Sequence, residues 1–143
     1  MKLSTKGRYG LRAIVDLAMF AEEGPVPISA IADRQSLSES YLEQLMSKLK
    51  KAGLVRSIRG AQGGYILAKD SAEISIGDIL RALEGDINPV DCVALAEDGK
   101  LKCKNSSLCV SKYVWKRIND SIAETVDAIT LKSLLEEKLG KQN

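Results

Sequence analysis

Ser38-Glu39-Ser40-Tyr41-Leu42-Glu43-Gln44-Leu45-Met46-Ser47-Lys48-Leu49-Lys50-Lys51 is the stretch whose periodicity decides the fold. Leu42, Leu45, Met46 and Leu49 recur at spacings of three and four, which a 3.6-residue turn gathers into one apolar seam. That seam leaves Ser40, Gln44, Ser47, Lys48 and Lys51 on the opposite face, with Ser38 and Tyr41 at the entering end. Ser38 reads as the N-cap, because its hydroxyl can accept a backbone N–H that a helix start leaves unpaired. Gly53 closes the helix.

Past Gly53 the period shortens. Leu54-Val55-Arg56-Ser57-Ile58 and Tyr65-Ile66-Leu67-Ala68 read as two strands of a hairpin around the glycine-rich tip Arg59-Gly60-Ala61-Gln62-Gly63-Gly64. Upstream, Gln35-Ser36-Leu37 is a turn, and residues 28–34 form a short helix with Ile31 and Ala32 inward. Leu11, Ile14, Val15 and Ala18 predict a first helix over residues 5–22, ended by Gly24, Pro25 and Pro27. Helix, short helix, turn, amphipathic helix and hairpin is the order of a winged helix-turn-helix, whose third helix enters the major groove.

The polar face of residues 38–51 suits that task. Hydroxyls, Gln and Tyr reach base edges or phosphates, Gln can pair bidentately with adenine, and lysines such as Lys48 suit phosphates. Glu43 is repelled by phosphates unless it accepts from a cytosine amino group, which would make it a selectivity element. Taken alone, a polar helix face is usually just solvated; joined to the hairpin, it favours nucleic acid. Arg59 beside Gly60 puts a cation on a tip that can approach another molecule closely, and an arginine there suits a narrow minor groove. A phosphate-cradling loop fails as a reading, because no Lys-Ser/Thr follows the glycines and no helix opens there.

Downstream, Ser75 and Asp78 offer a capping-box start to a helix with Ile76, Ile79, Leu80 and Leu83 on one face and Gly85 as its stop. Residues 86–107 have no sustained period and read as a loop. From about residue 107, Val110, Val114, Ile118, Ile122, Val126 and Ile129 mark a long helix, and Leu131, Leu134, Leu135 and Leu139 a last short one. A stripe that long needs a partner. The expected division is a DNA-binding domain over 1–85, a cysteine-bearing sensor loop over 86–107, and dimerisation and C-terminal helices over 108–143, mainly α with one small β-hairpin.

Charge agrees with this division. Residues 1–69 carry 11 Lys/Arg against 6 Asp/Glu, a surplus of 5, while the remainder carries 10 against 13, a deficit of 3. The basic half suits a polyanion, although a solvated basic face explains charge alone equally well. No stretch approaches the roughly 20 apolar residues of a membrane span, and no signal peptide is visible, so a cytoplasmic protein without a membrane partner is expected. Thiols stay reduced there, and three cysteines, Cys92, Cys103 and Cys109, do not make a disulfide framework. The chain has no His, which removes His-based nucleophilic and zinc-hydrolase chemistry. Without a Cys-x-x-Cys pair or an activating base, a thiol redox enzyme is also disfavoured.

Met1-Lys2-Leu3-Ser4-Thr5-Lys6-Gly7-Arg8-Tyr9, Leu37 through Leu45, and Ser57-Ile58-Arg59-Gly60 through Gly63-Gly64-Tyr65 together resemble the Rrf family of bacterial regulators. That family includes an iron–sulfur cluster regulator, a nitric-oxide sensor and a cysteine-metabolism repressor. The resemblance implies a homodimer joined by its long helices and bound to double-stranded DNA at a pseudo-palindromic operator. Carried over by position, Ser38, Ser40, Tyr41, Glu43 and Gln44 are its major-groove residues, and Arg59, with Gly60, its minor-groove tip. In the cluster-binding members three cysteines occupy this loop, so Cys92, Cys103 and Cys109 become expected ligands of a [2Fe–2S] cluster. Departures matter too: the cluster regulator has a shorter gap between its first two cysteines and a His where Lys112 stands, and the first helix offers Lys6 and Arg8 where another branch supplies a carboxylate. The fourth ligand stays open among Asp91, Glu97, Asp98, a backbone group and an exogenous thiol. The other reading on this scaffold is a cluster-free repressor of cysteine or sulfur metabolism, controlled by a regulatory partner protein or by thiol oxidation.

Overall fold

A computed structural model describes residues 3–91 and 109–142. The first helix, α1 (Thr5–Met19), is capped by Ser4, whose hydroxyl accepts from the Lys6 N–H. It ends earlier than the apolar pattern predicts. The Phe20 N–H is shared between the Asp16 and Leu17 carbonyls at 3.3 Å each, and the chain tightens into a 3-10 turn over Ala21–Glu23.

The helix pair α2 (Ile28–Gln35) and α3 (Glu39–Lys51) is joined through Ser36, whose left-handed backbone (φ 55°) makes the turn. Strands β1 (Val55–Ile58) and β2 (Gly64–Leu67) pair antiparallel with Val55 opposite Leu67 and Ile58 opposite Gly64. Val26 adds a contact that local periodicity does not reveal. It exchanges two main-chain hydrogen bonds with Tyr65, at 2.9 and 2.8 Å, and so ties the hairpin to the start of α2.

The capping box at Ser75 and Asp78 is formed, and α4 (Ile76–Glu84) follows and stops at Gly85. The long helix α5 (Lys112–Ala128) begins later than residue 107, and α6 (Leu131–Gln142) follows at once. Ile76 N–H donates to the Ile129 carbonyl at 2.8 Å, and Leu131 N–H to the Ile74 carbonyl at 3.0 Å. These bonds stitch the end of α5 to the entry of α4.

One apolar core holds the described residues together. Ile14 and Leu17 of α1, Ile31 of α2, the four-residue seam of α3, Ile79 and Leu83 of α4, and Leu131 of α6 are all essentially buried. Emptying such a position to alanine costs about 2–5 kcal/mol. Helix α5 differs: it packs on α4, yet none of its residues is buried.

Within the core, Asp16 is a carboxylate 3% exposed and fully satisfied. Arg34 grips it with Nε and Nη2 at 2.9 and 2.7 Å, Gln35 adds a third bond, and the Arg34 guanidinium stacks 4.0 Å over Phe20. The pair fixes α2 against α1 and so sets where the turn delivers α3.

Candidate nucleic-acid interface

The seam of α3 faces inward, with Leu42, Leu45, Met46 and Leu49 at most 1% exposed. Helical geometry therefore turns Ser40, Glu43, Gln44, Ser47, Lys48 and Lys51 outward, and all six are exposed. Ser38 is exposed as well, and its Oγ accepts the Tyr41 N–H at 3.2 Å, which is the expected cap. Glu43 and Gln44 have no partner among the described residues, so their polar groups are available to a ligand.

Tyr41 is placed differently from the rest. It is half-buried, its ring meets Tyr9 edge-on at 6.3 Å, and its hydroxyl lies 3.3 Å from Thr5 Oγ1. The side chain is thus shared between the outer surface and the packing of α1 on α3. Sequence periodicity could not find this, because Thr5 and Tyr9 reach Tyr41 only through the tertiary fold.

The hairpin is fastened to α3. Lys50 Nζ donates to Ser57 Oγ at 3.0 Å, holding β1 against the last turn of α3. At the tip, Gly60 has φ 118°, a conformation that side chains rarely adopt. A Cβ on Gly64 would run into the Val26 carbonyl, so the close approach of the hairpin to Val26 requires glycine. Arg59 stands at this tip and is exposed.

Several cations here enter no ion pair among the described residues. The ion pairs among the described residues use Arg34, Arg81 and Lys116, whereas Lys48, Lys51, Arg56 and Arg59 enter none of them. The last-turn lysines also lie favourably at the negative end of the α3 dipole. The result is a polar ridge flanked by free cations, which attracts a polyanion over a distance set by ionic strength.

Of the predicted cysteine ligands, Cys92 and Cys103 lie outside the described residues, as do Glu97 and Asp98. Cys109 is half-buried just ahead of α5, with Sγ 3.0 Å from Ser111 Oγ. The Ser111 hydroxyl, helped by the Lys112 backbone N–H, holds its thiol below the usual range, which favours the thiolate that ligates metals. Asp91 is exposed, and Lys112 sets its ammonium 5.3 Å over the Tyr113 ring. Among the described residues no group of three or more Cys, Asp or Glu converges on one point. Nor is any described helix long and apolar enough to cross a membrane.

A buried seam under a polar third helix, followed by a cation-tipped hairpin, defines a winged helix-turn-helix DNA-binding regulator. The chain belongs to the Rrf2 family, whose model, described as an iron-dependent transcriptional regulator, matches residues 3–137. It is 45% identical to the transcriptional regulator CymR of Bacillus subtilis over 142 residues, covering 99% of this chain and 95% of that one. It is 39% identical to the regulator IscR of Pectobacterium atrosepticum over 138 residues, covering 96% and 81%. Among solved structures, T. potens IscR superposes with a TM-score of 0.78 at 46% identity, covering 100% of this chain and 92% of that one. The structure of CymR, the global cysteine regulator of B. subtilis, gives 0.76 at 44%, covering 96% and 98%. These relatives are transcription regulators, and the family is not one of enzymes.

Proposed function

We propose that the chain binds a pseudo-palindromic operator as a homodimer, with α3 in the major groove and Arg59 in the adjoining minor groove. The observation that carries this is the exposed row Ser40, Glu43, Gln44 and Ser47, without partners among the described residues, above a buried seam. Gln44 and Ser40 read base edges, Glu43 discriminates by accepting from cytosine and repelling otherwise, and Ser38 and Tyr41 hold the entering end. Lys48 neutralises phosphate, and Gly60 lets the Arg59 backbone come close.

The dimer is built on α5. Val110, just ahead of α5, is 79% exposed and Val114, in its first turn, 56%, and they lead into Ile118 and Ile122. Beside them an apolar groove of about 640 Å³, lined by Leu3, Leu80, Ile87, Ile118, Ile122 and Val126, receives the same helix of a second copy. Burying such a stripe is worth roughly 25 cal/mol per Å².

Cys92, Cys103 and Cys109 are the residues that would hold a [2Fe–2S] cluster, through which DNA binding would be gated. The fit rests on donor chemistry, since the Cys109 thiol is already biased toward the ligating thiolate. The cluster supplies sensitivity to oxidants and to iron supply; the fourth ligand comes from Asp91, Glu97, Asp98, a backbone group or an exogenous thiol. The second reading, a cluster-free repressor of sulfur metabolism governed by a partner protein or by thiol oxidation, draws on the same cysteine, whose pKa the Ser111 hydroxyl lowers. It is favoured by the end-to-end match to CymR.

Anaerobic purification with iron and sulfide analysis separates the two. The cluster reading predicts about two irons per chain and their loss in Cys109→Ser. Iron-free protein that still selects a specific duplex would select the second reading, and protein that selects no duplex at all would refute both.

A further inference from the structure

Helix α4 ends on Glu84, whose side chain closes back onto the start of α1. Its Oε1 accepts from the Ser4 N–H at 2.9 Å, the Ser4 hydroxyl at 2.6 Å and the Gly7 N–H at 2.8 Å. One carboxylate oxygen therefore satisfies donors that the first turn of a helix leaves open. Gly7 is what admits it: a Cβ there would stand 2.6 Å from Oε1 and 3.2 Å from the Glu84 Cγ. Partial burial raises the Glu84 pKa, but the Ser4 and Gly7 donors outweigh this and hold it below the usual carboxylate range.

The turn that Glu84 clamps also bears on α3. Thr5 Oγ1 meets the Tyr41 hydroxyl, Tyr9 meets the Tyr41 ring, and Tyr41 in turn donates its N–H to the cap residue Ser38. Thr5 and Tyr9 lie one helical turn apart on a shared face of α1 and Gly7 on the other side of that turn, so the carboxylate holds from behind the turn whose front meets the entering end of α3.

We propose that Glu84 is a positioning residue for DNA recognition: by clamping the first turn of α1 it fixes Tyr41, and with it the approach of Ser38 and Ser40 to the duplex. Glu84 itself touches no DNA. The inference rests on reading α3 as the DNA-contacting helix.

A purely structural cap would change stability without changing discrimination between sequences, which gives the test its readout. Charge-driven binding to unrelated DNA is insensitive to helix angle, whereas base reading depends on it. Affinity is measured by fluorescence anisotropy for a duplex selected by the wild-type protein and for an unrelated duplex of equal length. Glu84→Ala and Gly7→Ala attack the clamp from opposite sides, and alanine at position 7 improves helix propensity.

Each is expected to lose about tenfold in specific affinity with unrelated binding unchanged. The double variant loses no more than either single, since both break one interaction. Glu84→Gln, which keeps an acceptor oxygen, recovers part of the loss. Specific affinity within about twofold of wild type in both single variants, a parallel fall on both duplexes, or multiplied losses in the double variant would overturn the proposal. If selection with the wild-type protein yields no duplex that it prefers to the unrelated one, the reading of α3 is overturned, and this proposal with it.

Discussion

Arg81 and Asp127 face each other as a two-pronged pair, Nη1 reaching Oδ1 at 2.7 Å and Nη2 reaching Oδ2 at 3.1 Å. The pair fastens α5, which has no buried residue, to α4, which lies in the core. Together with the main-chain bonds between Ile74–Ile76 and Ile129–Leu131, it sets the angle at which the exposed apolar stripe of α5 leaves the domain.

The pair carries a pH signature. Hydrogen bonding from Arg81 lowers the Asp127 pKa, so its stabilisation is fully present above the free carboxylate value of about 3.9 and is lost as pH falls through the lower folded value. Both side chains are more than two-fifths exposed, which limits the effect to about 0.2–1 kcal/mol. Urea titration of Asp127→Asn should show that deficit at pH 7 and a shrinking one in acid. A deficit that does not shrink would mean that the pair contributes by shape and not by charge.

Arg34 should matter more, because its partner is buried. Arg34→Ala leaves the Asp16 carboxylate 3% exposed with only Gln35 beside it, at a cost of about 3 kcal/mol. Arg34→Lys should recover less than half, since a lysine cannot form the two-pronged grip or stack on Phe20 in the same way. Equal unfolding midpoints for wild type and Arg34→Ala would contradict this account of how α2 is held.

Ile118 lies where the stripe of α5 meets the apolar groove. Ile118→Lys should convert a dimer into a monomer in sedimentation, with little loss of helical signal, because the residue is already 39% exposed in the single chain. Operator affinity should fall with it, as two half-sites can no longer be held by one particle. A dimer that survives the lysine would move the interface elsewhere.

The reading helix and the hairpin were legible because their signals are local. Four apolar side chains at helical spacing define the α3 seam, and glycines mark the tip beside Arg59. Long-range features were not legible. The Val26–Tyr65 bridge, the burial of Tyr41 against Tyr9 and the closure of Glu84 onto Ser4 join residues far apart in sequence and leave no period. Asp16 did leave a trace, as an ionisable residue inside an apolar run, and its partner Arg34 explains it. The first helix is shorter than its apolar pattern predicts: Ala21 and Glu22 are good helix formers, but the turn at Gly24 (φ 102°) tightens that segment into a 3-10 turn.

The proposed binding mode has the outer row of α3 and the tip of the hairpin gripping one duplex. Its most direct test is anisotropy titration at fixed salt of a duplex selected by the wild-type protein, using Gln44→Ala, Arg59→Ala and the double variant. Each single change should cost about 1–3 kcal/mol, roughly five- to 150-fold, and the two costs should add without any change in oligomeric state. Wild-type affinity in both single variants would contradict the account.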